Sequence, residues 1–126
     1  MSGLPDLGGT WALHGVTLGP DGGTLYEWDA ELTLTPLGEA FGVAIETAGF
    51  KSSRSVSFAE KLTATEDGGW LLRYGYEADP EHGATAGHPF FGISQLTFAA
   101  DGRSATGSSC NYNGRYVVME LALRRG

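Results

Sequence analysis

The chain has little of what would mark a metalloprotein, a disulfide scaffold or a membrane-spanning polypeptide. Its one cysteine, Cys110, cannot form an internal disulfide, which fits a reducing compartment and predicts a small, buried, inert thiol. Three histidines, His14, His82 and His88, share neither the i, i+4 spacing nor a Cys-x-x-Cys companion, so no metal site and no cofactor is expected. Positive charge is scarce: 8 basic residues stand against 15 acidic ones, a formal net charge of -7. That balance disfavours DNA, RNA and anionic membranes, and any anionic ligand must find locally placed arginines. No window approaches the roughly 20 apolar residues of a spanning helix. The opening Met1-Ser2-Gly3-Leu4-Pro5-Asp6 has no basic region followed by an apolar stretch, so it does not read as a secretory signal. The expectation is a soluble cytoplasmic chain, membrane-tethered only if it is trimmed from a longer protein.

At 126 residues the chain is read as one domain, 1–126, with 41% hydrophobic and 18% charged residues, enough to bury a core. Twenty glycines recur between short alternating runs, the signature of many strands joined by tight turns. Gly9 to Leu13 is the first run. From Tyr26 to Thr35, Tyr26, Trp28, Ala30, Leu32 and Leu34 alternate with Glu27, Asp29, Glu31, Thr33 and Thr35, which predicts a half-buried strand with an acidic outer face, ended by Pro36-Leu37-Gly38. Phe41 to Thr47 makes a third strand. In the fourth, Val56, Phe58, Leu62 and Ala64 are assigned to the dry face and Ser55, Ser57 and Lys61 to the wet one, with Glu60 marking a bulge.

Glu66-Asp67-Gly68-Gly69 turns the chain into a fifth strand carrying Trp70, Leu72, Tyr74 and Tyr76. Residues 78–89 show no period and are long enough to sit over a barrel mouth. Strands from Phe90, Ser104 and Tyr116 complete about eight, the number that closes a small barrel around side chains or one ligand. The expected fold is therefore all-β, a closed antiparallel up-and-down barrel, with a two-sheet sandwich as the alternative.

Ser108, Ser109 and Cys110 lack the strand–elbow–helix setting of a nucleophile, and neither Glu46 nor Glu60 stands among clear partners as a general base. An enzyme is not expected. The informative coincidence is of aromatics, Trp11, Tyr26, Trp28, Tyr74, Tyr76 and Tyr112, with Arg54, Arg73 and Arg115. Tyrosine hydroxyls are costly to bury unpaired, so inward tyrosines imply a partly polar interior, suited to flat rings and charged groups. Aromatic faces stack on bases and guanidinium forks pair with phosphate oxygens. Against this, Trp11, Trp28 and Trp70 could simply fill and plug the barrel, leaving an interaction module without a ligand.

In order along the chain, Gly9-Thr10-Trp11, Val43-Ala44-Ile45-Glu46-Thr47, the serines at 53, 55 and 57, Leu72-Arg73-Tyr74-Gly75-Tyr76, Leu96-Thr97-Phe98, Gly107, Asn111, Arg115 and Glu120-Leu121-Ala122-Leu123-Arg124 resemble one family. It is the β-barrel sensor domain of the two-transmembrane, β-strand-rich effectors of bacterial CBASS anti-phage signalling. The resemblance implies a barrel that binds a cyclic dinucleotide, as a sensor, receptor or sponge, and it is compatible with self-association. It adds Asn111, and Ser55 and Ser57 as phosphate-facing hydroxyls, to a candidate site of Trp11, Tyr26, Arg54, Tyr74, Tyr76, Tyr112 and Arg115. The chain departs from the family at Pro36-Leu37-Gly38, at Ala78-Asp79 and at Ser109, where the family carries an aromatic. Gly-x-Trp also opens lipocalin-like barrels, so a carrier of a small apolar ligand is the alternative function.

Overall fold

Alternation along each run becomes an inside and an outside only when the strands pair. The computed structural model describes residues 4–47, 53–79, 90–112 and 116–125. Eight strands follow one another: β1 (Gly9–Leu18), β2 (Thr24–Leu37), β3 (Ala40–Thr47), β4 (Arg54–Ala64), β5 (Trp70–Ala78), β6 (Phe91–Phe98), β7 (Ser104–Tyr112) and β8 (Tyr116–Arg125). Each pairs antiparallel with the next, and β8 returns to β1, so the sheet is a closed up-and-down barrel and not a sandwich. The closing ladder runs from Trp11 opposite Arg125 to Leu18 opposite Val118. Among the described residues there is no helix, and so none long and apolar enough to cross a membrane.

One end of the barrel is solid. Leu13, Leu32, Leu34, Leu72, Leu96 and Leu123 fill it, and Phe41, Phe98 and Trp11 pack among them. Trp11 is 0% exposed and meets Phe98 edge to face at 5.2 Å. Its indole nitrogen donates to the Leu7 carbonyl at 2.9 Å, and the Arg125 guanidinium lies 4.7 Å from its ring centroid. The residues before β1 thus cap the tryptophan, and Trp11 is the plug of this end.

Several boundaries differ from the sequence-based expectation. β1 runs on to Leu18, and β2 continues through Pro36 to Leu37, because Pro36 sits at the last pairs of a ladder that turns at Gly38. The faces at the start of β4 are the reverse of those predicted. Ser55 and Ser57 point inward, while Val56 and Phe58 point outward. The register shifts between Phe58 and Lys61, with Ala59 in the left-handed region at φ 54°, and this bulge carries Leu62 back inside opposite Leu72. Cys110 is exposed on the outer face of β7, since its neighbours Ser109 and Asn111 take the inward positions. Of the loop expected over residues 78–89, Ala78 instead closes β5, and 80–89 lie outside the described residues.

The acidic face of β2 is solvated as predicted. Glu27 and Asp29 there bracket His14 of β1, each carboxylate 2.8 Å from one imidazole nitrogen. The hydrogen bond to Asp29 first, and that to Glu27 second, raise the His14 pKa above its ordinary 6.5. A raised pKa means stability contributed below the unfolded value and lost as pH climbs through the folded one. The stability difference between wild type and His14→Gln should therefore be greatest below pH 6.5 and vanish above the folded pKa, as urea titrations at stepped pH would show. In the same assay Trp11→Ala should cost about 3–5 kcal/mol, whereas Glu31→Gln on the outer face should stay within about 0.5 kcal/mol.

Candidate ligand-binding site

The other end of the barrel is open. There the odd strands finish and the even strands begin, and a cavity of about 360 Å³ is lined by Thr17, Trp28, Thr47, Tyr76 and Asn111 with their inward neighbours. β2 contributes Tyr26 as well as Trp28, β3 adds Ile45, and Ser53 and Ser55 come from the start of β4. Tyr74 precedes Tyr76 on β5, Phe90 stands just before β6, Ser109 precedes Asn111 on β7, and Met119 and Leu121 lie on β8. No described lining residue is charged.

Local chemistry sets the aromatic walls. The Trp28 indole lies flat across β1, where a Cβ on Gly15 would come within 2.2 Å of its ring, so only glycine allows this approach. Its nitrogen donates to the Thr17 hydroxyl at 3.0 Å, which uses its one polar atom and holds the plane. Tyr76 is placed in the same way beside Gly92, where a Cβ would meet its ring at 2.8 Å.

The Tyr76 hydroxyl accepts from Asn111 Nδ2 at 3.1 Å and pairs with Ser109 Oγ at 2.5 Å. Accepting from the amide leaves the phenolic hydrogen for Ser109. The serine that replaces the resembling family's aromatic is thus the anchor of this tyrosine. Asn111 Oδ1 is buried without a hydrogen-bond partner, and so is the Tyr74 hydroxyl. Burial pushes the Tyr74 phenol above its ordinary 10, opposed by a Ser94 hydroxyl that lies near but outside hydrogen-bond geometry. Burial also raises Tyr76, opposed by Ser109 and Asn111. Both phenols are therefore neutral donors at physiological pH, and the wall carries one unused donor and one unused acceptor. At the rim, Thr47 and Ser53 close the end of the β3–β4 pair: the Ser53 amide donates to Thr47 Oγ1 at 2.7 Å, and the two hydroxyls are 3.1 Å apart.

The residues singled out from sequence divide clearly. Tyr26, Ser55, Tyr74, Tyr76 and Asn111 meet in this cavity. Trp11 is at the opposite end. Arg54 points to the outer face, where its Nε donates to Asp79 Oδ2 at 2.8 Å. Ser57 is tied up in the wall, accepting from the Val43 amide at 2.7 Å and donating to Glu60 at 2.7 Å where β4 leaves β3. Tyr112 is on the outer face, its ring 5.0 Å from that of Tyr116. Arg115 lies outside the described residues. Thr17, Trp28, Ile45, Thr47, Ser53, Phe90, Ser109 and Met119 also line the cavity and were not among the residues expected to bind, although Ile45, Thr47 and Ser53 lie in the segments that carry the family resemblance. Each is common in strands, and nothing local distinguishes it from a structural residue.

Comparison with known proteins places the chain in a family. The family model described as "Cap15, cyclic dinucleotide receptor domain" matches residues 2–125. The chain is also similar to "CD-NTase-associated protein 15" of Yersinia aleksiciae, 27% identical over 122 residues. That alignment takes in 97% of this chain but 56% of the relative, so the chain spans little more than half the relative's length. With nearly every residue inside the family match, the chain belongs to the Cap15 cyclic dinucleotide receptor domain family.

Proposed function

We propose that this barrel captures a cyclic dinucleotide at its open end and serves as the sensor of that signal in bacterial anti-phage defence, a binding role and not a catalytic one. The observation that carries the reading is the cavity wall: rings at Tyr26, Trp28, Tyr74, Tyr76 and Phe90, interleaved with hydroxyls and one amide, in a chain of the receptor-domain family. Its volume is in the range of small-molecule sites.

Bases stack against the rings, which accept any base because every base has a π-face. The Tyr74 hydroxyl and Asn111 Oδ1 offer a donor and an acceptor whose pairing by a base edge would relieve two buried, unpaired polar atoms. The Ser55 hydroxyl is a neutral donor for phosphate or ribose oxygens, beside the mutually paired hydroxyls of Thr47 and Ser53 at the rim. Burial keeps both tyrosines protonated, so they do not repel an anion. An apolar carrier is not favoured, since these unpaired polar groups would stay unpaired against an apolar ligand.

Isothermal calorimetry against a panel of cyclic dinucleotides, with their linear counterparts as controls, tests the reading. Wild type should bind at least one cyclic species. Trp28→Ala should weaken binding by about 1–3 kcal/mol, the range for one stacked base. Tyr74→Phe removes only a hydroxyl that the folded protein leaves unpaired, so it should lower affinity without lowering thermal stability. Failure of wild type to bind any cyclic nucleotide, with uptake of an apolar dye instead, would reverse the assignment.

A further inference from the structure

Asn111 is the one amide among the described lining residues of the cavity, and its two ends differ in hydrogen-bonding sense while matching in shape. Packing at this position would accept the amide either way round. Hydrogen bonding therefore decides whether an acceptor or a pair of donors meets the ligand.

The neighbours make that choice. Tyr76 on β5, Gly92 on β6 and Asn111 on β7 stand in one row of the ladder. Gly92 has no side chain to block the way: a Cβ there would lie 2.7 Å from Asn111 Cβ and 2.8 Å from the Tyr76 ring, so the phenol reaches across β6 to the inward residues of β7. Its oxygen accepts from Asn111 Nδ2 at 3.1 Å, and its single hydrogen goes to Ser109 Oγ at 2.5 Å. Tyr76 thus meets Asn111 as an acceptor and draws in the amino end, while Oδ1 stays buried and unpaired. Ser109 makes this arrangement possible. Without an acceptor at 109 the phenolic hydrogen would turn to Asn111 Oδ1, and the amide would present its amino end to the cavity.

We propose that Ser109, acting through Tyr76, sets the Asn111 amide with its carbonyl to the ligand and so selects a cyclic dinucleotide whose base presents an exocyclic amino group, as adenine and cytosine do. The inference rests on the capture reading and adds to it a chemical requirement on the base. The exocyclic amino group is the outermost donor on a base edge, so its hydrogen is the one that reaches an oxygen on a curved wall. A base carbonyl at the same place would set two acceptors face to face and leave both unpaired. The Tyr74 hydroxyl can donate or accept, so it serves the adjoining ring nitrogen in either form and leaves discrimination to Asn111. Ser109 is a positioning residue here, since its oxygen is bonded to Tyr76.

Calorimetry with cyclic dinucleotides in matched pairs tests the contact. Adenine against hypoxanthine, and cytosine against uracil, each exchange the amino group for a carbonyl on one ring shape. Wild type should bind the amino member of at least one pair about tenfold or more tightly. Ser109→Ala should invert that preference, Ser109→Thr, which keeps the hydroxyl, should retain it, and Tyr76→Phe, which frees the amide, should bring the ratio near one. In the ligand-free protein, Overhauser contacts from the Asn111 side-chain amino protons to the Tyr76 ring should be present in wild type and lost in Ser109→Ala, with thermal melts reporting that each variant is folded. Equal affinity within every pair that binds, a preference unchanged in Ser109→Ala, or no such Overhauser contact in wild type would overturn this inference and leave the capture reading standing. A wild-type protein that binds no member of the panel would overturn both.

Discussion

Closure of the sheet by the β1–β8 ladder is the constraint on which the other features rest. An open eight-stranded sheet would expose two edges of unpaired amides and carbonyls, and closure removes both. It also fixes the circumference, so the inward side chains share a set interior volume. Large residues fill it at one end, where Trp11 meets Phe98 and Phe41 belongs to the same core. At the other end the inward positions carry threonines, serines and an asparagine beside rings held against the wall, and space is left over. One structure therefore contains a rigid plug and a recess.

The recess keeps its shape because its rings are held by backbone geometry. Gly15 and Gly92 remove the Cβ atoms that would push Trp28 and Tyr76 away, and Thr17 and Ser109 bond the polar atom of each ring. The rings are pre-organised as faces, and a ligand need not order them on arrival. Two polar atoms in this wall lack partners, in a structure whose other buried side-chain polar atoms among the described residues are satisfied. Unpaired buried groups are expensive in a fold and useful in a site.

Much of the fold was legible. The second strand could be read almost residue by residue, because its carboxylates and apolar residues alternate without a fault and the acidic face is indeed solvated. The β4 reading failed at a definable place. A bulge was expected at Glu60 and one lies between Phe58 and Lys61 with Ala59 at positive φ, but one parity was carried across it from Leu62 back to Phe58 and Val56. The lining of the cavity was half legible. Tyr74 and Tyr76 follow from strand parity, and Asn111 from the family resemblance, but Trp11 was placed with them on its aromatic character and on the Gly9-Thr10-Trp11 resemblance, neither of which records its height in the barrel. Arg54 was chosen for its charge, and Asp79, at 2.8 Å, takes up that charge on the outer face.

What the sequence determined by itself was the number of strands, their antiparallel succession and, away from the bulge, which side of each strand faces in. These depend on a period of two residues and on turn chemistry, both local. Tertiary structure alone decided depth. Trp11 and Thr17 share one strand and one face, yet one plugs the barrel and the other lines its mouth. Parity cannot tell them apart, since it records the side and not the height. Height is set by how eight strands are staggered against each other when the ring closes, a relation between residues as distant as Trp11 and Arg125.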